Sequence, residues 1–131
     1  MWRLAKPEDD EAVVEMCMRL YDEDPGHLTV HPENIRSTLQ ALRREPCRGR
    51  AVVLEIENHP SGYALLIAFW LNELGGHICE VDELFVVPGH RSQGPRKVAI
   101  RSYFAGRPVA HSDRRHRARC HTGQCSCPAT L

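Results

Sequence analysis

The sequence predicts a small α+β (mixed α/β) domain in which helices cover an antiparallel meander of three strands. Three observations predict this class. Apolar residues recur at helical spacing in two early segments, three β-rich segments follow with short turns between them, and 42% of the 131 residues are hydrophobic. Short connections favour antiparallel pairing, and a sheet with an apolar face needs helices to cover it.

The first half of the chain predicts one short strand and two helices. Residues 2–5 form a short apolar stretch that is typical of a strand. A helix is expected to begin at Pro7, because proline suits the first helical position and the carboxylates that follow favour the positive end of the helix dipole. Pro25 and Gly26 end it. A second helix is predicted from Pro32 to the residue before Pro46.

Three strands follow these helices. Residues 51–57 are β-branched and alternate, residues 63–71 form a long apolar strand, and residues 78–87 form a third strand that ends before Pro88. The turn signals between them lie at residues 59–62 and 72–76. The third strand would leave an unpaired edge, which predicts a homodimer, a swapped assembly or pairing with a segment of the tail.

The segment most informative about function begins at Val81 and ends at Gly94. Its apolar strand ends at Pro88, and Arg91 and Gly94 follow with the spacing of a loop that opens a helix. Backbone N–H groups at a helix N-terminus favour an anion, and glycine lets the backbone approach a ligand closely. Such a junction can bind phosphate.

This segment resembles the acyl-CoA-binding motif of the GNAT superfamily, which reads V-x-P, two residues, then Gln/Arg-x-x-Gly-x-Gly/Ala. Val86 or Val87, Pro88, Arg91 and Gly94 fall on that pattern. The order of one strand, two helices and three strands is also similar to that of the family. The resemblance implies a GNAT-like mixed sheet with a third helix after the fourth strand, an incomplete domain over residues 1–105, and acetyl-CoA as co-substrate.

The resemblance also implies roles for single residues. Backbone groups of Phe85, Val86 and Val87 would pair with the pantetheine arm, and a strand N–H near Phe85 would polarise the thioester carbonyl. The Arg91 side chain would add positive charge near the pyrophosphate. Four further residues would hold the pyrophosphate through their backbone N–H groups: Ser92, Gln93, Gly94 and Arg96.

Glu83 is the candidate catalytic base. Acylation of an amine requires a neutral nucleophile, and a carboxylate can take the proton directly or through water. Strict alternation places Val81, Glu83 and Phe85 on one face of the strand, and places Glu80 and Asp82 on the other, solvated or paired. In GNAT enzymes with a similar E-D-L-F-V stretch, acidic residues at this point contact the amine. The alternative is that Glu83 is exposed by a bulge or paired with an arginine.

The remainder of the chain differs sharply in composition. Residues 1–94 contain 9 Lys/Arg and 16 Asp/Glu, whereas residues 95–131 contain 8 Lys/Arg and only one acidic residue. Pro95 and Arg96 depart from the motif, and no long helix, fifth apolar strand or late tyrosine follows. Residues 106–131 therefore predict an irregular basic tail, with the C-terminal half of the fold missing or altered. One hypothesis is that the reading frame or the exon changed near Gly94.

Two other readings of the tail stay open. Four residues could bind zinc, at a spacing tighter than in common structural sites: Cys120, His121, Cys125 and Cys127. The arginines of residues 114–119 could contact nucleic acid, but an unstructured basic segment is the favoured interpretation.

The sequence as a whole predicts an N-acetyltransferase that moves an acetyl group from acetyl-CoA to a primary amine on a small molecule or a peptide. The alternatives are an inactive GNAT fragment that acts as a binding or assembly module, and a small α+β domain with a basic metal-binding tail. No apolar run reaches the ~18 residues of a membrane span and no signal peptide is visible, so we expect a cytoplasmic protein without a membrane partner.

Overall fold

The computed structural model describes residues 1–93 together with residues 117–118. The elements are β1 (Trp2–Leu4), α1 (Asp10–Glu23), α2 (Pro32–Arg44), β2 (Gly49–Ile56), β3 (His59–Leu71), β4 (Gly76–Val86) and β5 (Arg117–Ala118). Short 3-10 helices lie at Pro7–Asp9, Asn72–Leu74 and Pro88–Gln93. The predicted order is confirmed through the fourth strand, and the predicted third helix lies outside the described residues.

The five strands form one sheet in the order β1-β2-β3-β4-β5. Every pairing among these described strands is antiparallel, so the parallel pair that a mixed sheet requires is not among them. The meander of β2, β3 and β4 follows from the short connections between these strands. The two helices pack on one face of this sheet, which gives the predicted α+β class.

The turn between β2 and β3 lies two residues earlier than the sequence suggested. Ile56 pairs with His59, and the two residues between them, Glu57 and Asn58, have φ angles of 51° and 62°. Two consecutive left-handed residues form the tight hairpin turn whose twist matches the flanking strands, and Asn tolerates this conformation. The expected turn at residues 59–62 is therefore wrong, because these residues already belong to β3.

Side chains on the two faces of the sheet form two separate apolar clusters. Val53, Tyr63, Leu65 and Phe85 face the helices, where they pack against buried side chains of α1 and α2. The opposite face carries its own cluster, formed by Val52, Ala64, Leu66 and Cys79 with Trp2, Val81 and Leu84 packed against it. Alternation along β2 and β3 accounts for this division.

A β-bulge in β4 changes the alternation that the sequence suggested for this strand. Leu65 pairs with Glu83, whereas the next residue of β3, Leu66, pairs with Val81, so Asp82 is one extra residue in β4. Val81 consequently packs on the face opposite to Phe85. The prediction that Val81, Glu83 and Phe85 share a face is wrong for Val81, and the reason is this inserted residue.

Ion pairs join α1 to α2 at their solvent-facing side. The Arg36 guanidinium on α2 contacts both carboxylate oxygens of Glu11 on α1 at 2.9 Å, and Arg43 pairs with Asp10. Exposed pairs of this kind contribute little stability each. They link the two helices through side chains that lie outside the apolar core.

The outer edge of β4 is partly covered by the C-terminal segment. Arg117 pairs with Glu80 and Ala118 pairs with Cys79, both antiparallel. Of the arrangements expected for this edge, the structure shows pairing with a tail segment, and a homodimer stays a prediction. Within residues 1–93, no helix is long and apolar enough to cross a membrane.

Candidate active site

A cavity of about 170 Å³ lies between the two helices and the sheet. Residues of α1, α2, β3 and β4, together with Val30, line it, and five of the twelve are aliphatic. Its polar end lies at the bulge of β4, where Asp82 and Glu83 both contribute to the wall. The bulge thus brings two carboxylates into an otherwise apolar cavity.

The Glu83 carboxylate accepts hydrogen bonds from three side chains. The Tyr21 hydroxyl donates to Oε1 at 2.8 Å, and the Tyr63 hydroxyl donates to Oε2 at 2.9 Å. The Cys17 thiol also approaches Oε2, with Sγ at 3.6 Å. A carboxylate offers about four lone-pair positions, so one position remains for a further donor from the cavity. Glu83 is therefore not left exposed by the bulge, and within the described residues it pairs with no arginine.

The three donors around Glu83 are held in their protonated forms. The hydrogen bond to Glu83 is the main cause that raises the pKa of Tyr21 to about 12. Burial raises the pKa of the Cys17 thiol to about 11, and burial also raises the pKa of Tyr63. At neutral pH all three groups keep their protons, so each can donate to the carboxylate and fix its orientation.

Asp82 shares the cavity wall with Glu83, which corrects the expectation that it lies on the opposite face with Glu80. Desolvation, followed by the charges of Glu83 and Glu80, raises the pKa of the Asp82 carboxyl above its usual range. Within the described part of the chain, no hydrogen bond or ion pair joins its side chain to a cation. The described residues thus place two carboxylates on this cavity wall without an ion pair to either of them.

The backbone of β4 presents alternate residues to the edge that faces away from β3, here called its open edge because the described residues pair with it only at Cys79 and Glu80. The Val87 N–H donates to the Ser61 carbonyl at 3.0 Å, so this residue faces β3. Because an antiparallel ladder alternates, Phe85 also faces β3, whereas Leu84 and Val86 turn their backbone groups to the open edge. The pairing of Phe85, Val86 and Val87 with a pantetheine arm stays a prediction, and the backbone groups that are directed away from β3 are those of Leu84 and Val86.

The Arg91 side chain lies across this open edge. Its Nε donates to the Val86 carbonyl at 2.6 Å, and its Nη2 contacts the two Glu23 oxygens at 2.7 and 3.0 Å. The guanidinium carbon also lies 5.2 Å from the centre of the Phe85 ring. The positive charge expected to assist a pyrophosphate is thus directed towards the C-terminal end of α1 instead.

The other predicted phosphate-binding residues are only partly described. Ser92 and Gln93 lie in the 3-10 helix Pro88–Gln93, where the sequence suggested an irregular loop, and the His90 N–H donates to the Val87 carbonyl at 3.0 Å. Gly94 and Arg96 lie outside the described residues, as do the candidate zinc ligands of the tail. Their roles stay predictions.

Sequence reasoning found Glu83 but missed most of the groups that hold it. Tyr21, Cys17 and Tyr63 belong to no motif in the sequence, so nothing local marked them as partners of Glu83. Helical spacing does place Cys17 and Tyr21 four residues apart on one face of α1, which could have joined them to one site. No local signal could have revealed Asp82, because the bulge depends on the register of β3 with β4.

Several solved structures with a similar fold are acetyltransferases, and two of them are GNAT family members. A possible acetyltransferase from Clostridium difficile 630 matches with a TM-score of 0.68 at 15% identity, over 81% of this chain and 71% of that chain. A ribosomal-protein-alanine N-acetyltransferase from Brucella melitensis biovar Abortus 2308 matches with a TM-score of 0.60 at 14% identity, over 79% and 67%.

A GNAT family acetyltransferase from Brucella melitensis, solved in complex with acetyl-CoA, matches with a TM-score of 0.58 at 15% identity, over 80% of this chain and 66% of that chain. No protein-family model and no curated protein matches the sequence. Together, the strand order, the two helices on one face and these structural matches show that this chain has the GNAT acetyltransferase fold.

Proposed function

We propose that this chain is an acyl-CoA-dependent N-acyltransferase, with acetyl-CoA as acyl donor and a primary amine as acceptor. The observation that carries the proposal is the position of Glu83. Its carboxylate lines a cavity to which β4 contributes, with three donors that fix it and one lone-pair position left for an amine. The shared fold with GNAT acetyltransferases supports the same reaction class.

Each part of the site has a separate task in this proposal. Acetyl-CoA supplies the acyl group as an activated thioester, and the acyl group ends on the amine nitrogen while the coenzyme leaves as its thiol. Glu83 takes one proton from the ammonium form of the acceptor, directly or through water, which makes the nitrogen nucleophilic. Tyr21 and Tyr63 keep the accepting oxygens oriented during this transfer. The backbone N–H groups of Leu84 and Val86 face the edge where the thioester arm would bind.

Consumption of the acetyl-CoA thioester, followed by its ultraviolet absorbance, tests the proposed reaction. This readout avoids thiol reagents, which would also react with cysteines of the chain. We expect consumption that depends on the added amine and mass spectra that contain the N-acetyl product. An inactive fold that acts as a binding module would give no amine-dependent consumption, and that result would refute the assignment.

The contact between Arg91 and Glu23 predicts a change in coenzyme affinity. Arg91 now bonds to the Val86 carbonyl oxygen, which the thioester arm would use, and Glu23 holds it there. Glu23→Gln removes the carboxylate, so we expect acetyl-CoA to bind about 2- to 5-fold more tightly, in line with the small energy of an exposed ion pair. Isothermal titration calorimetry measures the change.

Asp24→Asn is the matched control for this variant, since it removes an exposed negative charge at the next position without touching Arg91. If the two variants bind acetyl-CoA with equal affinity, then coenzyme binding does not require Arg91 to leave Glu23, and the prediction is wrong.

A further inference from the structure

The cavity that contains Glu83 has walls of two different kinds. One end carries the two carboxylates of the β4 bulge together with the hydroxyls of Tyr21 and Tyr63. The remaining wall is mainly apolar, and its apolar members are Val13, Val30, Ile35, Leu39 and Leu65. A ligand that fits both parts needs one charged end and one apolar body.

The size of the cavity limits this apolar body. Its volume of about 170 Å³ is below the ~300–1,000 Å³ that is usual for drug-sized ligands. An apolar cavity of ~150 Å³ in another protein binds benzene, so one ring or a short branched alkyl group is the size that fits. Sugars with several rings and folded peptides are larger than the space.

The charged residues that line the cavity limit how many cationic groups a ligand can carry. Among the described residues, Asp82 and Glu83 are the charged ones that line it. The polar groups on the α2 side are Asn34 and Thr38, and the Thr38 hydroxyl donates to the Asn34 carbonyl at 2.9 Å. A second ammonium group placed there would lose its hydration without gaining a carboxylate, which is costly.

We infer that the cavity binds a monoamine with a compact apolar body, and that Asp82 selects it by pairing with the ammonium group beside Glu83. The role of this ligand as acyl acceptor rests on the proposed function. Its binding to the cavity needs no acyl donor and can be measured separately. Asp82 supplies the charge that attracts the ammonium, while Glu83 is left to receive its proton. Because Glu83 already accepts three hydrogen bonds, the less occupied Asp82 carboxylate is the better anchor.

Binding of three probes to the whole chain, without acetyl-CoA, tests this inference by calorimetry or ligand-observed NMR. The probes are phenethylamine, its neutral analogue 2-phenylethanol, and spermidine as a polyamine. We expect phenethylamine to bind at least tenfold more tightly than either of the others. Equal binding of the amine and the alcohol, or tighter binding of spermidine, would overturn the inference.

Two variants test whether phenethylamine binds in this cavity. Asp82→Asn should weaken phenethylamine binding at least tenfold, because it removes the negative charge that pairs with the ammonium group and keeps the size of the side chain, and a melting curve checks that the variant folds. Val30→Phe should also weaken binding, since it fills the apolar end. Asp22→Asn, an exposed position outside the cavity, is the control and should leave the affinity unchanged. Unchanged affinity in Asp82→Asn would contradict the role given to Asp82.

These measurements also separate this inference from the proposed reaction. Selective phenethylamine binding without any acetyl transfer would refute the transferase and leave the cavity specificity standing. Transfer to spermidine in preference to phenethylamine would support the transferase and refute the specificity.

Discussion

Replacing Glu83 with glutamine lowers kcat for amine acetylation by about 10²- to 10³-fold, the usual contribution of a positioned general base. The amide keeps the size of the side chain; its oxygen can accept a hydrogen bond from one of the two tyrosine hydroxyls, and its NH2 group can donate to the other. It cannot take a proton from the acceptor at neutral pH. The loss should therefore appear in kcat, with little change in the affinity for acetyl-CoA, and the thioester assay with a saturating amine measures it.

Glu15→Gln provides the matched control for this prediction. Glu15 is an exposed residue of α1 that lies outside the cavity, and its loss should leave the rate within twofold of the parent chain. A melting curve for each variant shows whether the fold is intact. If Glu83→Gln retains the parent rate while it folds normally, the carboxylate is not the base.

Replacing Gly49 with alanine should strongly destabilise the chain, although it adds only one methyl group. Gly49 begins β2 with a φ of 150°, and a Cβ at this position would lie 2.0 Å from the Leu66 carbonyl oxygen of β3. The obstacle is backbone, so no side-chain rotation can remove the clash. We expect a loss of about 3–5 kcal/mol in the free energy of unfolding, which is typical of strained backbone and overpacked sites.

Thermal unfolding followed by circular dichroism measures this loss, which corresponds to a Tm lower by about 10 °C or more. Gly26→Ala is the control, because a Cβ there would meet no heavy atom within 4 Å. The Tm of Gly49→Ala should therefore lie clearly below that of Gly26→Ala. A Tm for Gly49→Ala equal to that of the control would show that β2 and β3 do not approach each other so closely at this point.

The helices and strands of this fold could be predicted because each has a local cause. Proline at the start of α2 and apolar residues at helical spacing fix its position without reference to the rest of the chain. The hairpin between β2 and β3 shows where this approach fails. His59, Pro60 and Gly62 look like turn residues, yet the left-handed pair Glu57 and Asn58 makes the turn.

The candidate site was harder to predict than the helices and strands, because it is formed by residues that are distant in sequence. Glu83 could be found because its neighbours in sequence resemble an acyl-CoA-binding strand. Tyr63, 20 residues away in sequence, reaches Glu83 only through the pairing of β3 with β4. The bulge at Asp82 arises from the same pairing, so strict alternation placed that carboxylate on the wrong face.

Arg91 shows that a position in a sequence motif does not by itself fix what the side chain contacts in the folded chain. Its position in the motif implied a contact with phosphate, but a carboxylate 68 residues away in sequence, that of Glu23, holds its guanidinium. The end of α1 comes close to the end of β4 only in the folded chain. Sequence spacing alone therefore could not reveal this pair.

The proposed reaction depends above all on an acyl-CoA that binds along the open edge of β4. Acetyl-CoA titrated into isotope-labelled chain, followed by backbone amide NMR, tests this binding directly. We expect large shifts for the amides of Leu84 and Val86, which face that edge, and smaller shifts for Phe85 and Val87, whose amides face β3. Amides of Leu84 and Val86 that do not respond to millimolar acetyl-CoA would contradict binding at this edge.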